Sequence, residues 1–343
     1  MTSIPKLPQP AIINRNSERP LNWGVIGAGG IAKTFTSTVV KHTNHKIAAV
    51  ASRTPGKAKN FTEQLGSGVA YDSYEAMLAD PEVDAVYIAT IPGDHLEHAL
   101  LAIEAGKPVL IEKPITLNSK DAETLFAAAK AKGVLAMEAM WTAYQPQTFI
   151  AKEAIAQGQI GEIKLVVADF LQSLDRVDRL WQKGGGSPMF DCGIYPVTFA
   201  YQYLGLPDRV RSIGKMGRNG YEAEAIIYFE YDSGASAVLT MSMNTDSPNH
   251  GTIGGSQGTL EFKTPFFVNN GVSLLPAQFN TPGEDWLDET GVVGHEGLVW
   301  QAVYFADYLA NGLTDSPVHG AADTVTCLKL VETIRDQLGA PAA

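Results

Sequence analysis

Lys113 is the first candidate for a catalytic or ligand-binding residue, because of its residue type and its position in the sequence. It follows the apolar run 109–111 and Glu112, and it precedes Pro114, which restricts the lysine backbone to extended conformations. A continuous apolar run predicts a buried parallel strand, and ligands of such sheets bind at the carboxyl ends of the strands. We therefore expect Lys113 at a ligand-binding edge. A solvated lysine after a strand is the ordinary alternative.

Asp191 and Tyr195 form the second reactive pair. They lie four residues apart in a predicted helix over 191–204, so they share one face of it. A phenol can donate and accept a proton, and a nearby ammonium group stabilises a developing alkoxide. A cation such as Lys113 would also lower the tyrosine pKa from about 10. An N-capping aspartate and a packed tyrosine are the alternatives.

The elements that must position these residues begin with a glycine-rich turn. A short strand over 21–26 leads into the pattern G-x-G-x-x-A, followed by a helix from residue 32. Gly27 permits a tight turn, Gly29 lets the backbone approach a pyrophosphate, and Ala32 allows close packing of helix and strand. The helix N-terminus then presents N–H groups to the phosphates. The residues predicted to bind a dinucleotide here are Gly27, Gly29, Gly30, Ile31 and Ala32.

The end of the second predicted strand, 46–51, bears on the choice of cofactor. An acidic ribose ligand is usual in NAD-selective sites, but this chain has Ser52, Arg53 and Thr54 there, with Lys57 nearby. A guanidinium group and a hydroxyl can bind a 2′-phosphate. We therefore predict NADP as the cofactor, with NAD also possible. A solvated arginine is the alternative.

Strands and helices continue to alternate up to residue 137. Repeats of this kind predict a doubly wound parallel α/β sheet, the Rossmann architecture. Its ligand edge adds Thr90, His95, Glu112 and Lys113 to the predicted cofactor contacts. His95 is a candidate for contact with nicotinamide or substrate, although such a histidine is more often simply packed.

Composition limits the possible functions. The chain has 343 residues, 45% of them hydrophobic and 18% charged, with a net charge of −11. This length allows about two domains, and the acidic balance argues against a nucleic-acid partner. Two cysteines make no disulfide framework, and no apolar stretch has membrane-spanning length. We expect a cytoplasmic protein with no metal site and an N-terminal tail or arm over residues 1–20.

The chain resembles the Gfo/Idh/MocA family of NAD(P)-dependent oxidoreductases. The resemblance rests on the glycine motif, on Glu112-Lys113-Pro114 and on the order of strands, and it covers about 21–338. The stretches 137–142, 184–186 and 191–196 look most like the dimeric dihydrodiol dehydrogenase branch, whose features the xylose and glucose 1-dehydrogenases share. Many family members carry a histidine where this chain has Tyr195.

The resemblance implies the remaining expectations. A Rossmann domain (21–141) would precede an α+β domain (142–319) with a large open, mostly antiparallel sheet, and a C-terminal helix (320–343) would pack on the first domain. The reaction would be hydride transfer between NADP and a sugar or cyclic trans-dihydrodiol, with Tyr195 as acid/base, Lys113 as electrostatic support and Asp191 as an orienting group. Trp141, Arg176, Arg179 and Trp181 are the candidate substrate contacts.

Two expectations concern the surface and the class of protein. The predicted strand over 235–243 has apolar residues on both faces, so we expect a homodimer that buries the sheet face left open. The alternative function is a non-catalytic NADP-binding regulator on the same scaffold. Such a regulator has no need of a lysine–tyrosine pair.

Overall fold

The computed structural model describes residues 6–10, 12–17, 19–278 and 281–343, and these form two compact units. The six-stranded unit comprises Ile13–Tyr144 and His295–Val325. The eight-stranded unit comprises Met1–Ile12, Gln145–Gly294 and Thr326–Ala343. No helix within the described ranges is long and apolar enough to cross a membrane.

The six-stranded unit is built on a parallel sheet, as the alternating pattern predicted, and its strand order is β3-β2-β1-β4-β5-β6. Its strands are β1 (Asn22–Ile26), β2 (Lys46–Ala51), β3 (Val69–Tyr71), β4 (Ala85–Ile88), β5 (Val109–Glu112) and β6 (Ala136–Ala139). Its helices within Ile13–Tyr144 are α1 (Gly30–His42), α2 (Lys57–Leu65), α3 (Tyr74–Leu78), α4 (His95–Glu104) and α5 (Ser119–Lys132). Strands β1, β4 and β5 are buried at the centre of this sheet, which explains their nearly unbroken apolar sequences.

Local signals set the ends of these helices. The Ser73 hydroxyl accepts the Ala76 N–H at 3.2 Å and caps α3, and the Asn118 side chain caps α5 in the same way at 2.8 Å. Gly133 ends α5 with φ of 70°, in the left-handed region that favours glycine. These local interactions fix the start of α3 and both ends of α5.

The eight-stranded unit contains a mostly antiparallel sheet with the order β14-β13-β12-β11-β7-β10-β9-β8, and among the strands that the structure describes only the pair β7/β10 is parallel. Its strands are β7 (Ile163–Leu171), β8 (Arg209–Met216), β9 (Glu222–Glu230), β10 (Ser236–Ser242), β11 (Gly251–Gly255), β12 (Gly258–Phe262), β13 (Gly271–Pro276) and β14 (Glu284–Leu287). Helices α6 (Pro146–Ala156) and α7 (Ile194–Leu204) belong to the same unit. Strands β13 and β14 were not predicted, because Gly, Asn and Pro residues flank them or lie at their ends and hide the strand pattern.

The chain returns to the six-stranded unit at His295, whereas the sequence prediction kept 142–319 together. Helix α8 (Leu298–Ala310) belongs to this return segment, and its Phe305 ring lies 5.1 Å from the buried Trp23 ring of β1. Aromatic burial of this kind gives the segment a large apolar contact with the parallel sheet.

The last helix, α9 (Ala321–Leu338), begins in the six-stranded unit and ends in the other. Gln337 accepts the Ser212 N–H at 2.7 Å, and Arg335 forms a buried ion pair with Glu222. The sequence prediction placed the whole of 320–343 on the first domain, but these contacts attach its second half to β8 and β9.

Two residues of the N-terminal segment make defined contacts with the rest of the chain. The Leu7 side chain is buried and its N–H donates to Glu284, while the Arg15 guanidinium lies 5.9 Å from the Trp300 ring centre. Residues 1–5, 11 and 18 of the predicted tail or arm lie outside the described ranges.

Candidate active site

The glycine turn after β1 has the shape that a dinucleotide needs. Gly27 has φ of 101°, and a Cβ atom there would lie 2.7 Å from the Ala89 carbonyl oxygen, so only glycine fits. Gly29 and Gly30 face open space, and no side chain caps the start of α1. Ala32 is fully buried. The open approach and the uncapped N-terminus fit a pyrophosphate group.

At the end of β2, Ser52 and Arg53, the two residues predicted to bind a 2′-phosphate, already have partners within the protein. Ser52 is buried and its hydroxyl accepts the Thr54 N–H at 3.2 Å. The exposed Arg53 guanidinium lies 3.2 Å from Asp94 and 3.8 Å from Glu97. A 2′-phosphate would therefore compete with two carboxylates for this cation. Lys57, the first residue of α2, is exposed.

His95 is fully buried at the start of α4, and its ring contacts two backbone carbonyls. Nδ1 lies 2.9 Å from the Pro114 oxygen, and Nε2 lies 3.2 Å from the Thr90 oxygen. Burial lowers the pKa of His95 to about 4, so the ring is neutral at pH 7. These contacts fit the packed alternative for His95, with the ring joining the segments after β4 and β5.

Lys113 is half-buried, and its backbone is fixed by polar side chains. Its N–H donates to Glu112 at 3.2 Å, and Glu112 also accepts a short hydrogen bond from the Tyr87 hydroxyl. The neighbouring Pro114 carbonyl contacts His95, as described above. The lysine therefore stands on a rigid backbone at the carboxyl end of β5, the edge that the sequence predicted.

An aromatic pair in the same unit lies close to Lys113. The buried Trp141 ring stacks on His295 with 5.4 Å between ring centres and 19° between planes. The pKa of His295 is lowered first by partial burial and then by the positive charge of Lys113. His295 was missed from the sequence, because it lies far along the chain and belongs to no motif.

In the eight-stranded unit, Asp191 lies in a π-helical turn, Met189–Gly193, that leads into α7. The helical segment therefore begins at Met189, before the predicted start at residue 191. Its first turn is a π-helix, in which backbone hydrogen bonds join residues five positions apart. The Met189 side chain packs directly against Gly193, where a larger residue would have to displace its sulfur. Pro196 is the third residue of α7 and follows the π-helical turn directly.

Arg179 contacts Asp191 directly. Its guanidinium donates to the Asp191 carboxylate at 3.0 Å and to the Gly185 carbonyl at 2.9 Å. A Cβ atom at Gly185 would clash with the Arg179 backbone, so the glycine run 184–186 allows the close contact. Arg179 thus orients Asp191 in this structure, while half of its own side chain stays accessible.

The other two candidates from the predicted substrate loop differ from each other. Trp181 is fully buried, and its indole N–H donates to the Asp175 carbonyl at 2.9 Å. It therefore shapes the loop from inside and presents no surface to a ligand. Arg176 is exposed, and its charge contributes, after hydrogen bonds from Ser173, to lowering the pKa of Asp246.

Tyr195 is held by aromatic packing. Its ring stacks on Phe170 at 5.4 Å with 8° between planes, and on Phe267 at 5.6 Å with 28°. Gln145 donates to the Phe267 carbonyl at 2.9 Å and fixes the loop that carries one of these rings. The two phenylalanines were missed from the sequence, since nothing local links them to the tyrosine.

Two protein-family models match this chain. Residues 21–140 match the oxidoreductase family GFO_IDH_MocA with its NAD-binding Rossmann fold, and residues 150–261 match the C-terminal domain of the same family. The chain belongs to the Gfo/Idh/MocA family. It is accordingly an oxidoreductase with a nicotinamide-nucleotide-binding domain.

Relatives within the Gfo/Idh/MocA family match nearly the whole chain. The trans-1,2-dihydrobenzene-1,2-diol dehydrogenase of Mus musculus is 29% identical over 330 residues, covering 93% of this chain and 97% of the mouse protein. The Homo sapiens enzyme of the same name is 26% identical over 324 residues, with the same coverage. These matches support the dihydrodiol dehydrogenase branch that the sequence motifs indicated.

Solved structures of related proteins contain nicotinamide nucleotides. KijD10, a 3-ketoreductase from Actinomadura kijaniata in complex with NADP and TDP-benzene, is 28% identical with a TM-score of 0.77, covering 93% of this chain and 98% of that one. A levoglucosan dehydrogenase in complex with NADH and levoglucosan has a TM-score of 0.82 at 20% identity, covering 94% and 98%, and supports the fold.

Proposed function

We propose that this oxidoreductase acts on CH–OH groups, transferring a hydride between the nicotinamide C4 of NADP and an alcohol or carbonyl carbon of a sugar or cyclic trans-dihydrodiol. The observation that carries the proposal is the half-buried Lys113, fixed at the carboxyl edge of the parallel sheet, the edge that also carries the uncapped N-terminus of α1. The dehydrogenase and ketoreductase names of the relatives support chemistry at such a carbon.

When bound, the nicotinamide gives or takes a hydride, and the protein must handle the proton and the charge on the substrate oxygen. We assign the proton to the Tyr195 Oη, since a phenol can donate and accept it. The Lys113 ammonium stabilises negative charge on the same oxygen. Asp191, oriented by Arg179 at 3.0 Å, accepts a hydrogen bond from a neighbouring substrate hydroxyl.

The reaction is tested by screening turnover. NADPH formation or consumption should be measured over aldopyranoses, cyclic trans-diols and α-dicarbonyls, with Tyr195→Phe as the control for contaminating activities. We expect turnover with members of one of the first two classes. Tight NADP binding without turnover of any candidate would favour the regulatory alternative.

For the cofactor we propose NADP over NAD, with Arg53 as the residue that binds the 2′-phosphate. The guanidinium is exposed, and a phosphate with nearly two negative charges can replace Asp94 and Glu97 as its partner. A charge-assisted contact contributes about 1.5–3 kcal/mol, so NADP should bind roughly 10- to 100-fold more tightly than NAD.

The cofactor assignment is tested by measuring dissociation constants for NADP and NAD in the wild type and in Arg53→Ala. The variant should lose most of the preference for NADP. Lys59→Ala, which removes an exposed cation of α2 paired with Glu63, is the matched control and should keep it. Equal affinities of the wild type for both nucleotides would contradict the assignment.

For assembly we propose a homodimer through the open face of the eight-stranded sheet. Strand β10 buries Ala237, Leu239 and Met241 on one face, and its other face continues an apolar surface on neighbouring strands. That surface includes Leu165, Ile213, Ile226, Tyr228 and Val238, all exposed, and a cavity of about 510 Å³ lies beside Ile213 and Ile226. Exposed apolar area of this extent is typical of an interaction surface.

Light scattering at micromolar concentration tests the assembly. The wild type should have the molar mass of two chains. Ile226→Lys should lower the mean molar mass towards that of one chain, because the dimer would bury the lysine charge in its interface. Leu206→Lys is the matched control, since this exposed leucine lies after α7, outside the sheet. A wild-type mass of one chain would contradict the dimer.

A further inference from the structure

Glu138, in β6, is a buried carboxylate that the proposed reaction does not use. Its side chain is 1% exposed, and three donors converge on its two oxygens. The Ile115 N–H donates to Oε1 at 2.9 Å, while His319 Nε2 and the Thr324 hydroxyl donate to Oε2 at 3.0 and 3.2 Å. This arrangement suits a carboxylate anion, which only accepts hydrogen bonds.

The contact with Ile115 places Glu138 at the turn that carries Lys113. Pro114 has no N–H, so the amides of this turn belong to Lys113 and Ile115, and each donates to a buried carboxylate. Glu112 therefore fixes the turn at Lys113, before Pro114, and Glu138 fixes it at Ile115, after Pro114. The lysine backbone cannot shift without breaking one of these bonds.

His319 is itself held in place. Its N–H donates to the Ser316 hydroxyl at 3.2 Å, and its carbonyl accepts the Tyr144 hydroxyl at 3.4 Å. His319 is 1% exposed, so the Glu138–His319 pair is fully removed from water. Apolar residues of similar volume often stabilise a fold as well as a buried pair does, and a role in fixing geometry explains why a charged network occupies this position.

We propose that Glu138, supported by His319 and Thr324, is a positioning residue for Lys113. It acts through the Ile115 amide and sets the place and direction from which the ammonium group meets the substrate oxygen. The inference rests on the proposed role of Lys113 in catalysis. It connects that lysine to the start of α9, the element that carries Thr324.

Glu138→Gln is the first test, because its amide oxygen can still accept from Ile115, whereas its NH2 group can accept from neither His319 nor Thr324. Displacement of a catalytic group by about 1 Å costs about 100-fold in rate, so kcat should fall by roughly 10- to 100-fold. The dissociation constant for NADP should stay within about twofold, because Glu138 is buried and is not among the predicted nucleotide contacts.

Glu222→Gln is the matched control. Glu222 is also a buried carboxylate paired with a cation, Arg335, but it lies in β9 and its contact is with α9. Its loss should lower the thermal midpoint and leave kcat per folded molecule unchanged. If Glu138→Gln fails to fold, Thr324→Val replaces it. This nearly isosteric change removes one donor to Glu138 and should reduce kcat in the same direction by a smaller factor.

A double variant separates positioning from general stability. In the Lys113→Met background, Glu138→Gln should reduce turnover by less than about twofold, because the group that it positions is already absent. If the two losses multiply, or if folded Glu138→Gln turns over at the wild-type rate, the proposal is overturned.

A readout without substrate keeps the test independent of the reaction. The acylation rate of the Lys113 amine, followed against pH by peptide mass spectrometry, should shift its midpoint in Glu138→Gln and not in Glu222→Gln. An unshifted midpoint in Glu138→Gln would overturn the positioning role. If the wild type turns over no sugar or diol, the proposed function fails, while this measurement still decides the role of Glu138.

Discussion

Lys113 and Tyr195, the two residues to which we assign the chemistry, are held in opposite ways. Around Lys113, polar side chains bind the backbone: Glu112, His95 and Glu138 each contact one of three successive residues. Around Tyr195, apolar rings bind the side chain: Phe170 and Phe267 stack against it at 5.4 and 5.6 Å.

The difference has a physical reason. A long, flexible ammonium side chain can be aimed only by fixing the backbone from which it extends, and directional hydrogen bonds do this. A tyrosine side chain has only two rotatable torsion angles and a rigid ring. Stacking on both faces of the ring therefore fixes the side chain and leaves the hydroxyl as its reactive group. Changes at the lysine turn should therefore alter rates, and changes at the aromatic stack should alter stability.

The largest effect is expected for Tyr195→Phe. The substituted ring keeps both stacking partners, so the fold and NADP affinity should be retained while the proton donor is lost. Removal of a general acid/base typically reduces kcat by 10²- to 10⁴-fold. Lys113→Met should give a comparable loss, and the double variant should lose much less than the product if both groups act on one oxygen.

The measurements are kcat, the NADP dissociation constant and the thermal midpoint for these three variants. A structural tyrosine predicts a lower midpoint with turnover retained per folded molecule. Near-normal kcat in folded Tyr195→Phe would move the acid/base role to another group. It would also leave the aromatic stack as a purely structural feature.

The second-largest effect is expected for Phe170→Ala, which should lower the free energy of unfolding. Truncation of a buried phenylalanine typically costs 3–5 kcal/mol, and here it would also remove one face of the Tyr195 stack. Urea unfolding should show the loss, while kcat per folded molecule should fall far less than in Tyr195→Phe. Phe170→Leu is the control and should recover most of the stability. A collapse of kcat in a folded Phe170→Ala protein would contradict the division between rate and stability.

The same contrast explains how much the sequence predicted. The glycine turn after β1 and the alternation of strands and helices up to β6 are local features, because each depends on residues within a few positions of one another. Lys113 at a strand end is equally local. These features were predicted with nearly correct bounds.

The features that the sequence did not predict join distant positions. His295 lies close enough to Lys113 for the lysine charge to lower its pKa, although most of the chain separates them. Phe267 stacks on Tyr195 through a loop held by Gln145, and Arg53 is paired with Asp94 and Glu97 of α4 and the turn before it. Contacts of this kind leave no periodic or motif signal, so only the folded chain reveals them.

The smallest effect is expected for His95, whose protonation should make the free energy of unfolding depend on pH. Its folded pKa is about 4, below the ordinary value of 6.5, because burial disfavours the charged ring. Between these values the unfolded chain binds a proton that the folded chain does not, so stability falls as pH decreases from about 6.5 towards 4. The expected loss from this group between pH 7 and pH 5 is about 2 kcal/mol.

His95→Asn removes this titration while an amide donor remains for the Pro114 carbonyl. Urea midpoints at pH 7 and pH 5 should therefore fall less in the variant than in the wild type. The pKa itself can be read from the proton resonances of the His95 ring, which should not titrate above pH 5. A ring midpoint near 6.5, or parallel pH profiles for the two proteins, would contradict the buried neutral histidine. Because His95 also contacts the lysine turn, a reduced kcat in a stable His95→Asn protein would place it with Glu138 among the groups that position Lys113.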